Sequence, residues 1–237
     1  MSVKVDLTVM ELLCSRLCHE LINPVGAINN GVELLSELEN TADPEAMGLI
    51  AQSARSAAAR LHFYRLAYGR AAGLGADLTM DEALAVAEGV VETNRVRLER
   101  KANPSDHSPS DHRPSESGPS GRSIAAAERL DRAVVKLLLN LLVLGGEALP
   151  RGGRLRATVL PDGDGRCLEV LAEGEQAGLP PESGTALHGR IDVANLTART
   201  VQAYFTGRVA EALPVSLETV ESRGFVRFSA KLPAPLR

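Results

Sequence analysis

Residues 8–35 read TVMELLCSRLCHELINPVGAINNGVELL, and this stretch decides the fold at the N-terminal end of the chain. Its apolar residues recur at steps of three, four and seven, which is the spacing of one face of an α-helix. The stripe comprises Met10, Cys14, Leu17, Leu21, Ile28, Val32 and Leu35. Thr8 followed by Glu11 has the spacing of a capping box, so the pattern predicts a long helix that begins at Thr8.

A break at residues 40–44 separates this helix from a second one, for which Asp43 is a suitable N-cap and Pro44 a suitable first residue. The second helix carries its own apolar seam and is predicted to fray near residues 73–75. The seam residues are Met47, Ile50, Ala54, Ala57, Leu61, Tyr64 and Tyr68. Two such helices form a hairpin with more apolar surface than its own pairing buries. Residues 1–75 therefore predict a homodimer built as a four-helix bundle.

Residues 76–237 have a different pattern, in which alternating runs typical of strands are mixed with helical segments. The predicted helices are 81–92, 124–149 and 192–213, and the predicted strands are 95–100, 154–160, 167–172, 215–221 and 225–232, with a turn at 162–165. Residues 102–123 are rich in Ser, Pro, Asp, Gly and His and are predicted to be a disordered insert. The whole chain is therefore predicted to be α+β, a helical hairpin followed by an α/β sandwich domain.

The composition argues against several classes of protein. A net charge of −4, an aromatic content of 3% and the absence of Trp do not suit a nucleic-acid-binding protein. Cys14, Cys18 and Cys167 lack the paired spacing of a disulfide framework or a zinc site. The most apolar stretch, residues 133–144, is too short to span a bilayer, and no signal peptide is evident. We therefore expect a cytoplasmic protein that binds neither nucleic acid nor membrane and holds no metal.

His19 is the candidate functional residue because of where helical geometry places it. At about 100° per residue, most of the apolar stripe falls within about 40° of the side opposite His19, so the imidazole is predicted to be exposed. An exposed neutral imidazole is a nucleophile near physiological pH and can accept a phosphoryl group. Glu20 can orient the ring or accept its other proton, and Asn23, one turn further on, can hydrogen-bond a phosphoryl oxygen or water. These three residues form the predicted catalytic group.

The face of His19 is mostly polar or small, and we expect residues on it or beside it to contact a partner protein. They are Leu12, Ser15, Arg16, Gly26, Ala27 and Asn30. Gly26 leaves room for a loop of the partner, and Pro24 is expected to bend the helix just past the site because it cannot donate a backbone hydrogen bond.

The string CHELINP at residues 18–24 resembles the H-box of the histidine kinase dimerisation domain, with Val25 in place of the leucine that follows. In that family an ATP-binding domain comes after the hairpin. Residues 140–153 resemble its N-box and the Pro-x-Gly-Gly tail, and Asn140 matches the first asparagine of the N-box. The resemblance implies an ATPase-like fold for residues 76–237.

Three parts of the family's nucleotide site are missing from this sequence. Leu144 stands in place of the second N-box asparagine, which in the family ligates Mg²⁺, and an alkyl side chain cannot ligate a hard cation. Ala172 stands where the family has an aspartate that binds the adenine amino group. Residues 192–195 lack the paired glycines of the lid that cradles the phosphates. The resemblance therefore implies a degenerate domain that does not bind ATP.

A kinase-like hairpin joined to a degenerate ATPase-like domain is similar to the ChpT family of histidine phosphotransferases, and the resemblance covers nearly the whole chain apart from residues 102–123. It implies that His19 accepts a phosphoryl group from the receiver domain of a hybrid histidine kinase and passes it to response regulators of cell-cycle control. It also implies that the chain needs no cofactor and that each receiver holds the Mg²⁺. Two alternatives remain open, a divergent ATP-dependent histidine kinase and a non-catalytic dimeric adaptor for receiver domains.

Overall fold

A computed structural model gives the fold of most of the chain. It describes residues 6–37, 43–69, 77–93, 95–99, 129–163, 165–213 and 215–232. The predicted insert at 102–123, the predicted fraying at 73–75 and the predicted domain boundary at 75/76 lie outside these residues. Two antiparallel helices, α1 (Leu7–Glu37) and α2 (Pro44–Ala67), form the hairpin that the apolar periodicity predicts.

The two hairpin helices differ in how well their starts were predicted. Asp43 caps α2 as expected, since its side chain accepts a hydrogen bond of 3.1 Å from the backbone N–H of Glu45, and Pro44 is the first helical residue. The capping box predicted at Thr8 is wrong, because Thr8 lies inside α1. Its backbone N–H instead donates to the Asp6 side chain at 2.9 Å, so Asp6 takes the capping role.

The buried face of α1 is rotated from the predicted apolar stripe, of which Leu17 and Leu21 are half-buried against the core. Val9, Leu13 and Gly31 are buried, whereas the stripe residues Met10 and Val32 are exposed. Helical geometry puts these two sets about 90° apart around the axis. On α2 the seam is divided in the same way, with Tyr64 buried and Met47, Ala54 and Leu61 exposed. The predicted stripes are real, but much of each remains on the surface of the single chain.

The remainder of the described chain is an α/β sandwich. Its elements are β1 (Leu78–Thr79), α3 (Met80–Val91), β2 (Val96–Glu99), β3 (Arg129–Leu130), α4 (Arg132–Glu147), β4 (Gly153–Asp162), β5 (Gly165–Glu173), α5 (Pro181–Leu187), a 3₁₀ turn (Val193–Asn195), α6 (Val201–Ala212), β6 (Ser216–Ser222) and β7 (Phe225–Leu232). Five strands form a sheet in the order β2-β4-β5-β7-β6, in which only β2 and β4 are parallel. The predicted α+β fold class is confirmed.

Two predicted helices differ from the structure. The helix expected over 124–149 begins only at Arg132 in the described chain, because Asp131 caps it and residues 129–130 pair with β1 as a short strand. The helix expected over 192–213 is divided, because a turn from Thr197 to Thr200 interrupts it. Periodicity alone cannot show such a turn, since apolar residues on both sides keep a helical spacing. Helix α5 was not predicted.

One face of the sheet carries the core, and the other is polar. In β7, for example, Val226, Phe228 and Ala230 are fully buried while the residues between them are not. Helix α4 packs closely on this face, and a Cβ atom added at Gly145 would lie 2.6 Å from Leu155 Cδ2. The opposite face bears ion pairs such as Arg156–Glu173. The α/β part is therefore a two-layer structure with its helices on one side, where they also meet the hairpin.

Candidate functional site

Helix α1 presents His19 to solvent, as the helical spacing predicts. Asn23, Ser15 and Asn30 are also exposed, and Leu12, Gly26 and Ala27 are half-buried on or beside the same face. Pro24 lies inside α1, which continues past it to Glu37. An incoming protein can therefore reach the imidazole and the polar residues around it. The roles assigned to these residues remain predictions.

Glu20 lies on a different side of α1 from His19 and faces α2. Its carboxylate Oε2 forms an ion pair with Arg60 Nη1 on α2. Burial and the nearby Glu20 charge raise the pKa of Tyr64, and Arg60 acts against this rise. The pair anchors the carboxylate next to His19 in the chain and limits its freedom to move.

Arg60 is a site residue that the sequence reasoning missed. In an antiparallel hairpin, residues that face each other have numbers with a nearly constant sum, and Gly31 packs against Ile50. By this rule Glu20 lies opposite residues close to 60, so the hairpin register would have pointed to Arg60. The register depends on the packed face of α1, which the stripe did not identify.

Arg16, predicted as a partner-binding residue, is engaged within the molecule. Its guanidinium pairs with Glu147 at the end of α4 and so links the hairpin to the α/β part. Burial alone would lower the pKa of Arg16, but the Glu147 carboxylate outweighs it and the pKa is raised. Burial raises the pKa of Glu147, although Arg16 acts against this. Part of the Arg16 side chain stays exposed one turn before His19.

A cavity of about 200 Å³ lies between the hairpin and the helices α3 and α4. Its polar lining comes from Arg16, Glu20, Glu147 and the tyrosines at 64 and 68, and valines form much of the rest. The Arg16–Glu147 pair and the Glu20 carboxylate thus lie on the side of α1 that faces this cavity, whereas His19 lies on a side exposed to solvent. The two sides separate the anchoring contacts from the exposed nucleophile.

The residues that resemble a nucleotide site have other roles in this structure. Asn140 is fully buried; its Nδ2 donates to the backbone oxygens of Ala67 at 2.9 Å and Lys136 at 2.8 Å. Its Oδ1, the atom that would ligate a cation, accepts a hydrogen bond of 2.9 Å from Gln202 Nε2. Leu144 and Ala172 are both fully buried in the core. These side chains do not fit a nucleotide with its metal ion.

The segment aligned with the family's lid is also used structurally. The Asp192 side chain accepts a hydrogen bond of 3.0 Å from the backbone N–H of Ala194 and caps the 3₁₀ turn that follows. In the loop between β5 and α5, the backbone N–H of Leu179 donates a hydrogen bond of 3.2 Å to the Glu221 carboxylate, which ties that loop to β6. In the described part of the chain no helix is both long and apolar enough to cross a membrane.

Comparison with known proteins gives matches along almost the entire chain. A family model described as the histidine phosphotransferase C-terminal domain matches residues 80–223. The protein phosphotransferase ChpT of Brucella abortus (strain 2308) is 34% identical over 234 residues, which cover 98% of this chain and 100% of that protein. The solved structure of a bacterial phosphotransferase has 31% identity and a TM-score of 0.68, with 97% of this chain and 98% of that chain covered. The similarity therefore includes the hairpin as well as the α/β part.

Proposed function

Because the chain belongs to the histidine phosphotransferase family, whose members act in phosphorelays, we propose that His19 is the residue that accepts and passes on the phosphoryl group. The exposure of His19 on α1, with Asn23 exposed one turn further on, is the observation that carries this proposal. A donor or acceptor domain has to bring its own aspartate to within bonding distance of the imidazole, and an exposed ring on a helix face permits this approach.

The proposed transfer is a nucleophilic displacement at phosphorus. A ring nitrogen of neutral His19 attacks the aspartyl phosphate of a receiver domain; the N–P bond forms as the P–O bond breaks, and the aspartate leaves as a carboxylate. The other ring nitrogen keeps its proton, and the proposed role of Glu20, whose carboxylate pairs with Arg60, is to stabilise that N–H. The Asn23 amide can donate to a phosphoryl oxygen. The reverse reaction passes the group to a second receiver.

We propose that the chain uses no ATP and holds no cofactor of its own. This proposal is supported by Asn140, whose side chain is fully engaged in protein hydrogen bonds, and by the buried alkyl groups of Leu144 and Ala172. Family resemblance suggests that each receiver's acidic residues hold the Mg²⁺ needed for transfer. The proposed partners are the receiver domain of a hybrid histidine kinase and response regulators of cell-cycle control, all in the cytoplasm.

The proposed assembly is a homodimer through the hairpin, residues 1–75, with 76–237 as the attached degenerate domain. Support comes from large apolar side chains that the single chain leaves on its surface, including Met10 (51% exposed), Val32 (53%) and Leu61 (56%). They belong to stripes with near-heptad spacing on both helices, which is the pattern of a helix that packs in a bundle. A second hairpin would cover them.

The test is phosphoryl transfer from a purified, phosphorylated receiver domain to this protein. We expect the wild type to gain label, His19→Ala to gain none, and the wild type to remain unlabelled with ATP alone. His62→Ala is the matched control, because His62 is also exposed, but on α2. Labelling of His19→Ala at the wild-type level would reject His19 as the acceptor. Labelling by ATP alone would favour the kinase alternative, and receiver binding without transfer would favour the adaptor.

A further inference from the structure

The last turn of α2 is held between α4 and α6 of the α/β part. Tyr68 Oη donates a hydrogen bond of 2.5 Å to Gln202 Oε1 on α6, and the Tyr68 ring lies 5.4 Å from the Phe205 ring, measured between centroids. Asn140 on α4 donates to the backbone oxygen of Ala67 at 2.9 Å. We call the four side chains of Tyr68, Lys136, Asn140 and Gln202 the interdomain clamp.

Lys136 completes the clamp from the same helix as Asn140. Its Nζ donates to the backbone oxygens of Tyr68 at 3.3 Å and Gly69 at 3.1 Å. These oxygens lie at the C-terminal end of α2, where backbone carbonyls have no helical partner, so a cation there satisfies them and suits the helix dipole. Burial lowers the pKa of Lys136, with a further contribution from Arg132. Three successive carbonyls, from Ala67 to Gly69, are thus bound by side chains of the other part of the molecule.

The clamp is a connected network with members that support one another. Asn140 and Gln202 are both fully buried, and the Gln202 amide uses its oxygen for Tyr68 and its nitrogen for Asn140. In a buried network each polar group relies on its neighbours, because loss of one partner leaves another unsatisfied. The clamp therefore resists small displacements of the hairpin relative to the α/β part, which apolar packing alone would tolerate.

A second connection lies close to His19. The Arg16–Glu147 pair joins α1 to the end of α4, and Arg16 precedes His19 by one helical turn, a rise of about 4.5 Å. Glu147 is at the end of the same helix that carries Lys136 and Asn140. Helix α4 is thus attached to α2 near its start and to α1 at its end. These two attachments join the α/β part to both helices of the hairpin that carries the exposed imidazole.

We propose that the interdomain clamp is a positioning device for phosphoryl transfer, in which its four side chains together hold the α/β part at one place beside His19. A receiver that reaches His19 then meets the hairpin and the α/β part as a single preformed docking surface. Preorganisation of this kind strengthens binding because no domain motion has to be arrested when the partner docks. The inference rests on the proposed role of His19 and concerns receiver affinity rather than the chemical step.

Two variants weaken the clamp with little risk to folding. Tyr68→Phe removes one hydroxyl and keeps the ring on Phe205, and Lys136→Met removes the ammonium and keeps an apolar stem. The matched control is Tyr204→Phe, which removes a hydroxyl from α6 outside the clamp. Initial rates of transfer from a phosphorylated receiver are measured over a range of receiver concentrations, together with the thermal unfolding midpoint of each variant.

For both clamp variants we expect the half-saturating receiver concentration to rise about fivefold or more, while the rate at saturation stays within about twofold of the wild type. Tyr204→Phe is expected to match the wild type in both values. A clamp variant with an unchanged half-saturating concentration would overturn the proposal. A variant whose only change is a lower rate at saturation, matched by a lower unfolding midpoint, would also overturn it. Failure of the wild type to accept phosphate would instead reject the proposed function, so the two failures are distinguishable.

A second measurement tests the position of the α/β part directly. Spin labels are placed at Arg55 on α2 and Arg154 on β4, both exposed, with Cys14, Cys18 and Cys167 changed to Ser. Double electron–electron resonance is then used to record the distance distribution between the two labels. It is recorded in the protein with the intact clamp and in the double variant that carries Tyr68→Phe and Lys136→Met. We expect a narrow distribution for the intact clamp and a broader one for the double variant. Equal widths would overturn the positioning role.

Discussion

Glu20 follows His19 directly in the chain, yet its carboxylate is bound across the hairpin by Arg60. The Arg60 side chain is about a quarter exposed and that of Glu20 less than half. Ion pairs with this degree of solvent contact typically add only about 0–1 kcal/mol to stability. The pair therefore adds little to stability, and its structural effect is to hold the carboxylate of the residue that follows His19 against α2.

At this scale we expect Arg60→Gln to lower the rate of phosphoryl transfer at saturating receiver by about tenfold, a loss typical of residues that orient a functional group. The free energy of unfolding should change by less than about 1 kcal/mol. Rapid-quench transfer assays and urea unfolding measure the two quantities. Arg55→Gln is the control, since Arg55 is exposed on the same helix. A rate for Arg60→Gln within twofold of the wild type would contradict a positioning role.

Some of these residues could be predicted from the sequence and others could not. The exposure of His19 follows from the helical period and the opposite apolar stripe, both of which are local properties. Glu20 and Arg16 have partners 40 or more residues away in the chain, and Asn140 bonds Ala67, 73 residues away. Such partners depend on how separate elements pack, and one sequence contains no direct record of that packing.

Among the elements, α1 shows how two glycines on one helix can have opposite importance. A Cβ atom added at Gly26 would have no neighbour within 4 Å, whereas one added at Gly31 would lie 2.6 Å from Ile50 Cγ1. Gly31 thus permits α1 and α2 to approach each other closely. Gly26 has no such packing role, and its conformational freedom only weakens the helix.

We therefore expect Gly26→Ala to raise the free energy of unfolding by about 0.5–1 kcal/mol and Gly31→Ala to lower it by about 1–3 kcal/mol. Urea unfolding followed by circular dichroism checks both values, and each variant serves as the control for the other. If Gly26 leaves room for a partner's loop, Gly26→Ala will also weaken receiver binding despite its greater stability. If Gly26→Ala is more stable than the wild type and binds the receiver with unchanged affinity, Gly26 is not part of the docking surface.

The helices and strands that could be predicted are those whose apolar residues keep a regular spacing without interruption. Helices α2 and α3 and strands β4 and β5 lie close to their expected positions. The expected helix over 192–213 was wrong because the hydroxyls of Thr197 and Thr200 bond each other's backbone N–H groups and stop the helix. Local polar side chains can compete with helical hydrogen bonds, and the apolar pattern contains no sign of that competition.

For the whole molecule, the exposed stripes on α1 and α2 predict the assembly. We expect Val32→Glu to raise the dimer dissociation constant about 100-fold or more, because each dimer would bury two glutamate carboxylates, one from each chain. Light scattering during size-exclusion chromatography measures the mass. Leu34→Glu is the control, since Leu34 is exposed but lies away from the stripe. A wild-type protein that is monomeric at micromolar concentration would contradict the proposed homodimer.

The position of Gln202 has a consequence for how the protein is made. Tyr68 and Gln202 are 134 residues apart in the chain. At a synthesis rate of about 5–20 residues per second, Gln202 is made roughly 7–27 s after Tyr68. The hairpin emerges from the ribosome first, and during this interval its final turn has no polar partner for the tyrosine hydroxyl. The contact that fixes the end of the hairpin can therefore form only after α6 has been synthesised.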